Sequence, residues 1–315
     1  MIALVLLGLV LGGAYWLFQY KFAKISVLVV YLFIYILVEI ISGTDKQVIA
    51  QRKKFSHWPT SGPVGRFGQQ GLIIAFSISG IFCLLNPFQL WQHLRILVGN
   101  TRHLFNRSQL INRAETYKGS VEYGLPFEGE WLVYNGGITA ASSHSWGVVA
   151  QRYAYDFVIA DPSYGRHKGR GTKVRDYYCY GKEILAVADG EVVRTVNRVW
   201  DAPFIGYGIL DFFTPNFIGN YIVIRHSAGE YSFYAHLKKG SITVQKGEAV
   251  KRGQVIGLCG HSGHSSEPHL HFHIQDREDF YTSKGLPVRF SNVLINGAIQ
   301  SGAYLSAGDH VNNNI

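Results

Sequence analysis

Thirteen histidines occur in the 315 residues. Five of them, His261, His264, His269, His271 and His273, crowd into one short stretch. Side chains alternate faces along a strand, so His269, His271 and His273 would point the same way, about 7 Å apart. Imidazoles gathered on one face make an expensive surface unless they bind something, and neutral imidazole is the commonest metal ligand. The spacing alone therefore predicts a metal site. An H-x-H pair in a strand offers one ring to a metal and the other to water beside it, which is the equipment of metal-assisted hydrolysis. Cysteine does not compete for that role. Cys83, Cys179 and Cys259 form no C-x-x-C, which excludes a Cys-rich zinc site or a disulfide scaffold. Cys259 ends an apolar run and reads as a buried thiol.

Those histidines need elements to position them. From about residue 115 short β-rich runs replace long apolar ones: EWLVY (130–134), YDFVIA (155–160), ILAVA (184–188), EVVRTV (191–196), YIVIRH (221–226), YSFYAH (231–236), QVIGLC (254–259) and PHLHFHI (268–274). Asp189-Gly190 reads as a hairpin turn, with further turns at Gly229-Glu230 and Lys246-Gly247. The pattern predicts a mainly β, antiparallel domain of sandwich or barrel type. The stretch 161–181 reads as a solvated loop of like charges, and His261 and His264 as turn residues facing solvent. His273 reads as packing or support for the H-x-H pair, and Asn220 as a turn residue or a substrate contact.

The segments YDF (155–157), GNYIVIRH (219–226), FYAHL (233–237), VKRGQVIGLCGHSG (250–263) and EPHLHFHI (267–274) resemble the M23 zinc metallopeptidases, the lysostaphin-type or LytM-like peptidoglycan endopeptidases. The resemblance covers roughly residues 115–290. It implies a LytM-type β fold, one Zn²⁺, and peptides of the peptidoglycan stem or cross-bridge as substrate. Residue by residue, His271 matches the zinc-ligand histidine, Asp156 the zinc-ligand aspartate, and His269 and His236 the two catalytic histidines. One ligand departs from the pattern. The common H-x-G-x-D motif would put histidine at position 152, where this chain has Arg152, which does not ligate zinc. His144, twelve residues before Asp156, resembles the first ligand of the β-lytic branch in its placement and is expected to complete the set, with Gln151 a weaker substitute. The competing expectation is a catalytically inactive LytM-like module that binds the wall or activates another hydrolase.

The first 112 residues have a different texture. The net charge of +9 suggests a nucleic-acid partner until it is divided. Residues 1–112 carry 10 Lys/Arg against 2 Asp/Glu, and residues 113–315 carry 20 against 19. The large part is near neutral, which argues against nucleic acid. The basic surplus sits among apolar runs at 2–20, 25–42 and 71–91, which read as three transmembrane helices in contact with the lipid bilayer. The first run lacks the basic start and small-residue cleavage site of a signal peptide. Five Lys/Arg lie between the second and third runs and predict a cytoplasmic loop. The expectation is a multi-pass protein of the cytoplasmic membrane with an extracytoplasmic peptidase domain. A stretch after Gln89 reads as an amphipathic surface helix. The expected division is a membrane region with its linker over 1–112, the peptidase domain over 113–300, and a tail over 301–315.

Overall fold

A computed structural model describes residues 62–104 and 113–313. The runs 2–20 and 25–42 lie outside the described residues. The described residues all belong to one compact unit, so 62–104 is part of the unit that carries the β domain.

Thirteen strands are described. They are β1 (Trp131–Asn135), β2 (Tyr155–Val158), β3 (Glu183–Leu185), β4 (Gly190–Val196), β5 (Asn220–Arg225), β6 (Tyr231–Leu237), β7 (Ala249–Val250), β8 (Val255–Leu258), β9 (Leu270–Gln275), β10 (Gly285–Leu286), β11 (Val293–Ile295), β12 (Ala298–Gln300) and β13 (His310–Asn313). Eleven of them form one sheet in the order β12-β11-β13-β1-β2-β9-β6-β5-β4-β7, with β10 on β9, and β3 and β8 pair separately. The pairings between named strands are antiparallel. The expected β architecture therefore takes the form of one long open sheet with a two-stranded ribbon.

Both faces of the central strands are buried, which is why β5 and β6 read as nearly unbroken apolar runs. On one face Ile222, Ile224, Tyr234, Leu270 and Phe272 pack with Ile184 and Ile256 of the ribbon. On the other, Tyr221, Val223, Phe233 and Ala235 pack with Phe280. Three expectations need correction here. Asp189-Gly190 does not close a hairpin, because β3 pairs with β8 while β4 pairs with β5 and β7. The stretch expected to be a tail supplies β13, which sits between β11 and β1. Arg166, placed in a solvated loop, is buried and pairs with Glu267 at 2.6 Å.

The apolar run at 71–91 is not one helix. α1 (Gly68–Leu85) stops at Asn86, and α2 (Pro87–Leu104) starts anew, at a bend of 100°. A residue before proline avoids helical backbone, and Asn86 is extended (φ −82°, ψ 113°). Its Oδ1 then accepts from the Phe88 and Gln89 N–H groups, so Asn86 caps α2 with proline at the first position. Among the described residues no single helix is long and apolar enough to cross a membrane, whereas the bent pair passes that test together. The polar face of α2 grips the β domain. Arg95 pairs with Asp279 at 2.7 Å, and Asn100 bonds Gly147 O and Val149 N.

Candidate metal centre

The site grows out of strand register. Across β1, β2, β9 and β6, Asn135 faces Asp156, Asp156 faces His271, and His271 faces Ala235. Directly opposed residues share a face. Asp156 and His271 are thus neighbours by pairing alone, with Nδ1 of His271 2.9 Å from Oδ1 of Asp156. Asn135 donates to the other carboxylate oxygen at 3.0 Å. Ala235 leaves open the space beside His271.

His144 arrives from the long β1–β2 connection. Gly136 and Gly137 (φ 137° and 144°) turn the chain out of β1. A Cβ at Gly136 would lie 2.4 Å from the Tyr155 ring, and one at Gly137 2.2 Å from Ser142 Oγ, so only glycine fits. The loop then brings Nε2 of His144 to 3.3 Å from Oδ2 of Asp156. Arg152, at the position where histidine was looked for, braces this loop. Its guanidinium lies over the Trp146 ring at 5.0 Å, and its Nε donates to Trp146 O.

His236 reaches the site through an exception to strand alternation. As the next residue after Ala235 in β6 it should point with Tyr234 into the other core. Its backbone is left-handed (φ 60°), an uncommon state for a non-glycine residue. That turns the ring to the histidine side, 4.8 Å from the His269 ring and 5.8 Å from the His271 ring, centre to centre. Its Nδ1 donates to Ser262 O at 2.8 Å. His269 sits just before β9, and its Nδ1 donates to Glu267 O at 2.8 Å. In both rings the proton on Nδ1 leaves Nε2 as the basic atom. Nε2 of His269 is 3.7 Å from Asp156. Burial, with His269 and His271 beside it, holds the His236 imidazole well below its ordinary range, so the ring is a neutral base near pH 7.

The tautomer of His271 follows from a chain of bonds behind it. Gln275 Nε2 donates to Arg277 O and Glu278 O, so its Oε1 faces His273 Nε2 at 2.9 Å and accepts from Ser283 as well. His273 Nε2 therefore carries that ring's proton, and its Nδ1 accepts from Nε2 of His271 at 3.3 Å. His271 is left with a bare Nδ1 aimed at a carboxylate. Burial opposes ionisation of Asp156, but His144 and His269 around it hold the carboxyl well below the usual range. The His144 ring closes the solvent side of this place, its side chain 36% exposed. Two acceptors 2.9 Å apart in a buried place call for a cation between them. Donor atoms of His144, Asp156 and His271 all lie within 4.8 Å of one another, close enough for one metal ion to gather them. Two nitrogens and one carboxylate oxygen suit zinc, so the residues present fit the ion that the resemblance implies.

The structure brings together His144, Asp156, His236, His269 and His271. It does not leave His261 in solvent, as expected, but buries it fully; His264 is half-buried against α2, its ring bonded to Gln89. Asn220 is structural, with its side chain bonded to Val199 and Leu237. The reading of the sequence missed Asn135, the Gln275–Ser283 end of the relay, and the Arg166–Glu267 pair that steadies the approach to His269. Only the H-x-H-x-H spacing hinted at the relay.

A His-Asp-His donor set with two more imidazoles at its rim, on an antiparallel sheet, is the apparatus of a metal-dependent hydrolase. Similarity to known proteins narrows the class: residues 167–283 match the model of Peptidase family M23. The match includes His236, His269 and His271 and begins after His144 and Asp156. Peptidoglycan DD-endopeptidase ShyA of Vibrio cholerae is 47% identical over 94 residues, 30% of this chain and 17% of that protein. An uncharacterized metalloprotease of Buchnera aphidicola is 37% identical over 128 residues, 36% of this chain and 29% of that protein. The chain thus spans less than a third of the length of these relatives. Among solved structures, the catalytic domain of lysostaphin from Staphylococcus simulans is 22% identical, with 55% of this chain and 90% of that one covered and a TM-score of 0.27.

Proposed function

We propose that this protein is a membrane-anchored zinc metalloendopeptidase that hydrolyses peptide bonds in the stem peptides or cross-bridges of bacterial peptidoglycan. The observation that carries the reading is Nδ1 of His271 at 2.9 Å from the Asp156 carboxylate, with His144 brought to 3.3 Å from the same group. His144, Asp156 and His271 would hold the zinc, and Asn135 and His273 would orient Asp156 and His271. Bound zinc supplies a Lewis acid that polarises a carbonyl and acidifies water. His236 and His269 act as general base and acid. Each holds a fixed Nδ1 proton and a free Nε2, so either takes a proton from water and returns it to the leaving amine. Once protonated, the same rings favour the developing oxyanion. The peptidoglycan substrate is supported by the resemblance to the Vibrio peptidoglycan DD-endopeptidase. The five-charge loop before α1 supports an extracytoplasmic domain; proteolysis of that domain in intact spheroplasts tests this, and protection there reverses the topology.

The decisive experiment measures zinc content and peptide release from purified walls side by side. His144→Ala is expected to lose zinc and turnover together. His236→Ala and His269→Ala are expected to keep zinc and lose about 10²–10⁴-fold in rate, the usual worth of general acid–base catalysis. Full zinc occupancy and activity in His144→Ala would overturn the ligand assignment. A wild-type protein that binds no zinc and releases no peptide from any wall is instead the inactive wall-binding or activator module.

A further inference from the structure

Seventeen large hydrophobic side chains are exposed among the described residues. Thirteen lie between Phe67 and Val98, three are Trp200, Tyr207 and Phe213 in the β4–β5 connection, and Ile299 alone lies elsewhere. Water-soluble surfaces scatter such residues singly rather than gather them. The middle of that connection, 202–217 (APFIGYGILDFFTPNF), has one charge. That charge, Asp211, is spent inside the loop, accepting from the N–H groups of Phe213 and Thr214.

The loop has no regular structure of its own, yet the two helices satisfy its backbone. Leu210 N donates to Ser79 Oγ at 3.0 Å. Asn86 donates to Phe212 O and Thr214 O. Gln89 donates to Asp211 O and Thr214 O, and Gln92 donates to Pro215 O. A loop bathed in water needs none of this. Irregular backbone at membrane depth needs it, because hydrocarbon offers no hydrogen bonds. The Phe82 ring of α1 also packs on Phe212, with centres 5.5 Å apart.

From this arrangement, and resting on the membrane-anchored reading above, we infer that residues 202–217 are seated in the lipid bilayer against α1. The occupant of the surrounding apolar surface is lipid. Gly62, just before α1, donates to His167, and Cys83, near its end, meets His264, so α1 lies along the β domain and turns its outer side, with Ile73, Ile74, Phe76, Ile78, Ile81 and Phe82, to the bilayer. On α2, Phe88 and Trp91 face away from the β domain, where aromatic rings suit the headgroup boundary. Two more apolar runs, 2–20 and 25–42, precede α1 in the sequence. The peptidase domain is thereby held down on the membrane by its own loop as well as by its tether.

The test uses the full chain in phosphatidylethanolamine–phosphatidylglycerol vesicles, spin-labelled at one introduced cysteine: Phe213→Cys or Tyr207→Cys in the loop, Phe76→Cys on α1, or Ile299→Cys on the far sheet edge. The native cysteines are buried and do not label. Accessibility to oxygen relative to a water-soluble nickel chelate reports lipid exposure. The inference expects loop labels to match position 76 and to exceed position 299. Lipid exposure at 76 with water exposure at 207 and 213 overturns the inference and leaves the anchor standing. Water exposure at 76 as well removes the anchored reading and the inference with it. Loop labels shielded from both reagents mean that protein, such as a second copy, covers the loop, and this too overturns it.

Discussion

At the scale of single residues, the site depends on which nitrogen of each ring holds a proton. Backbone carbonyls decide this for His236 and His269, while the Gln275–His273 relay decides it for His271. Hydrogen bonds that orient a metal-binding imidazole typically account for about 10–100-fold in metal affinity. His273→Phe preserves a ring to stack on Phe233 but removes the acceptor. It is expected to weaken zinc binding by about 10–100-fold in chelator competition, with the circular dichroism of the fold unchanged. His273→Glu, which restores an acceptor for the Nε2 proton of His271, is expected to keep the affinity. A His273→Phe protein that binds zinc as tightly as wild type would show the relay to be idle.

At the scale of elements, the long β4–β5 connection is tied down at its end by one side chain. Asn220 begins β5 and is fully buried. Its amide bonds Val199 N, Val199 O and Leu237 O at 2.7–2.9 Å, while its backbone N–H donates to Ser262 Oγ. The same Ser262 supplies the carbonyl that aims His236. Asn220→Ala strands buried polar groups that each cost about 1–3 kcal/mol when unpaired. We expect a loss of about 2–4 kcal/mol in denaturant unfolding, and a lower rate of wall digestion because Ser262 moves. A change under about 0.5 kcal/mol, the usual effect of a neutral surface substitution, would contradict this account.

At the scale of the whole molecule, the fold buries several histidines in neutral form. Burial lowers His226 and takes His261 from 6.5 to about 3. The unfolded chain binds protons at these rings below pH 6.5 while the folded chain does not, so stability rises with pH through that window. Their contribution is complete above pH 6.5 and is lost progressively as the pH falls, for His261 down to about 3. The slope is about 1.4 kcal/mol per pH unit for each such group. With metal chelated, the melting temperature is expected to fall steadily from pH 7 to pH 5, and less steeply in His261→Phe. A flat profile over that range would show these rings to be solvated in the folded protein.

Much of this was written in local order. Period-2 patterning defined the β domain, because each residue's face depends only on its neighbours two positions away. It likewise put His269, His271 and His273 on one side. Register is a long-range choice, so only the folded sheet aligned Asp156 with His271 across 115 residues of sequence. Loop closure brought His144 to the site and left Arg152 as its brace. A left-handed backbone at His236, which alternation cannot express, turned that ring toward its partners. Hydropathy read through Asn86-Pro87 as one span, since a window average does not register a lost N–H or a cap. Strand β13 and the buried Arg166 were invisible for the same reason: their partners lie far along the chain, and only tertiary packing pays the cost of bringing them together.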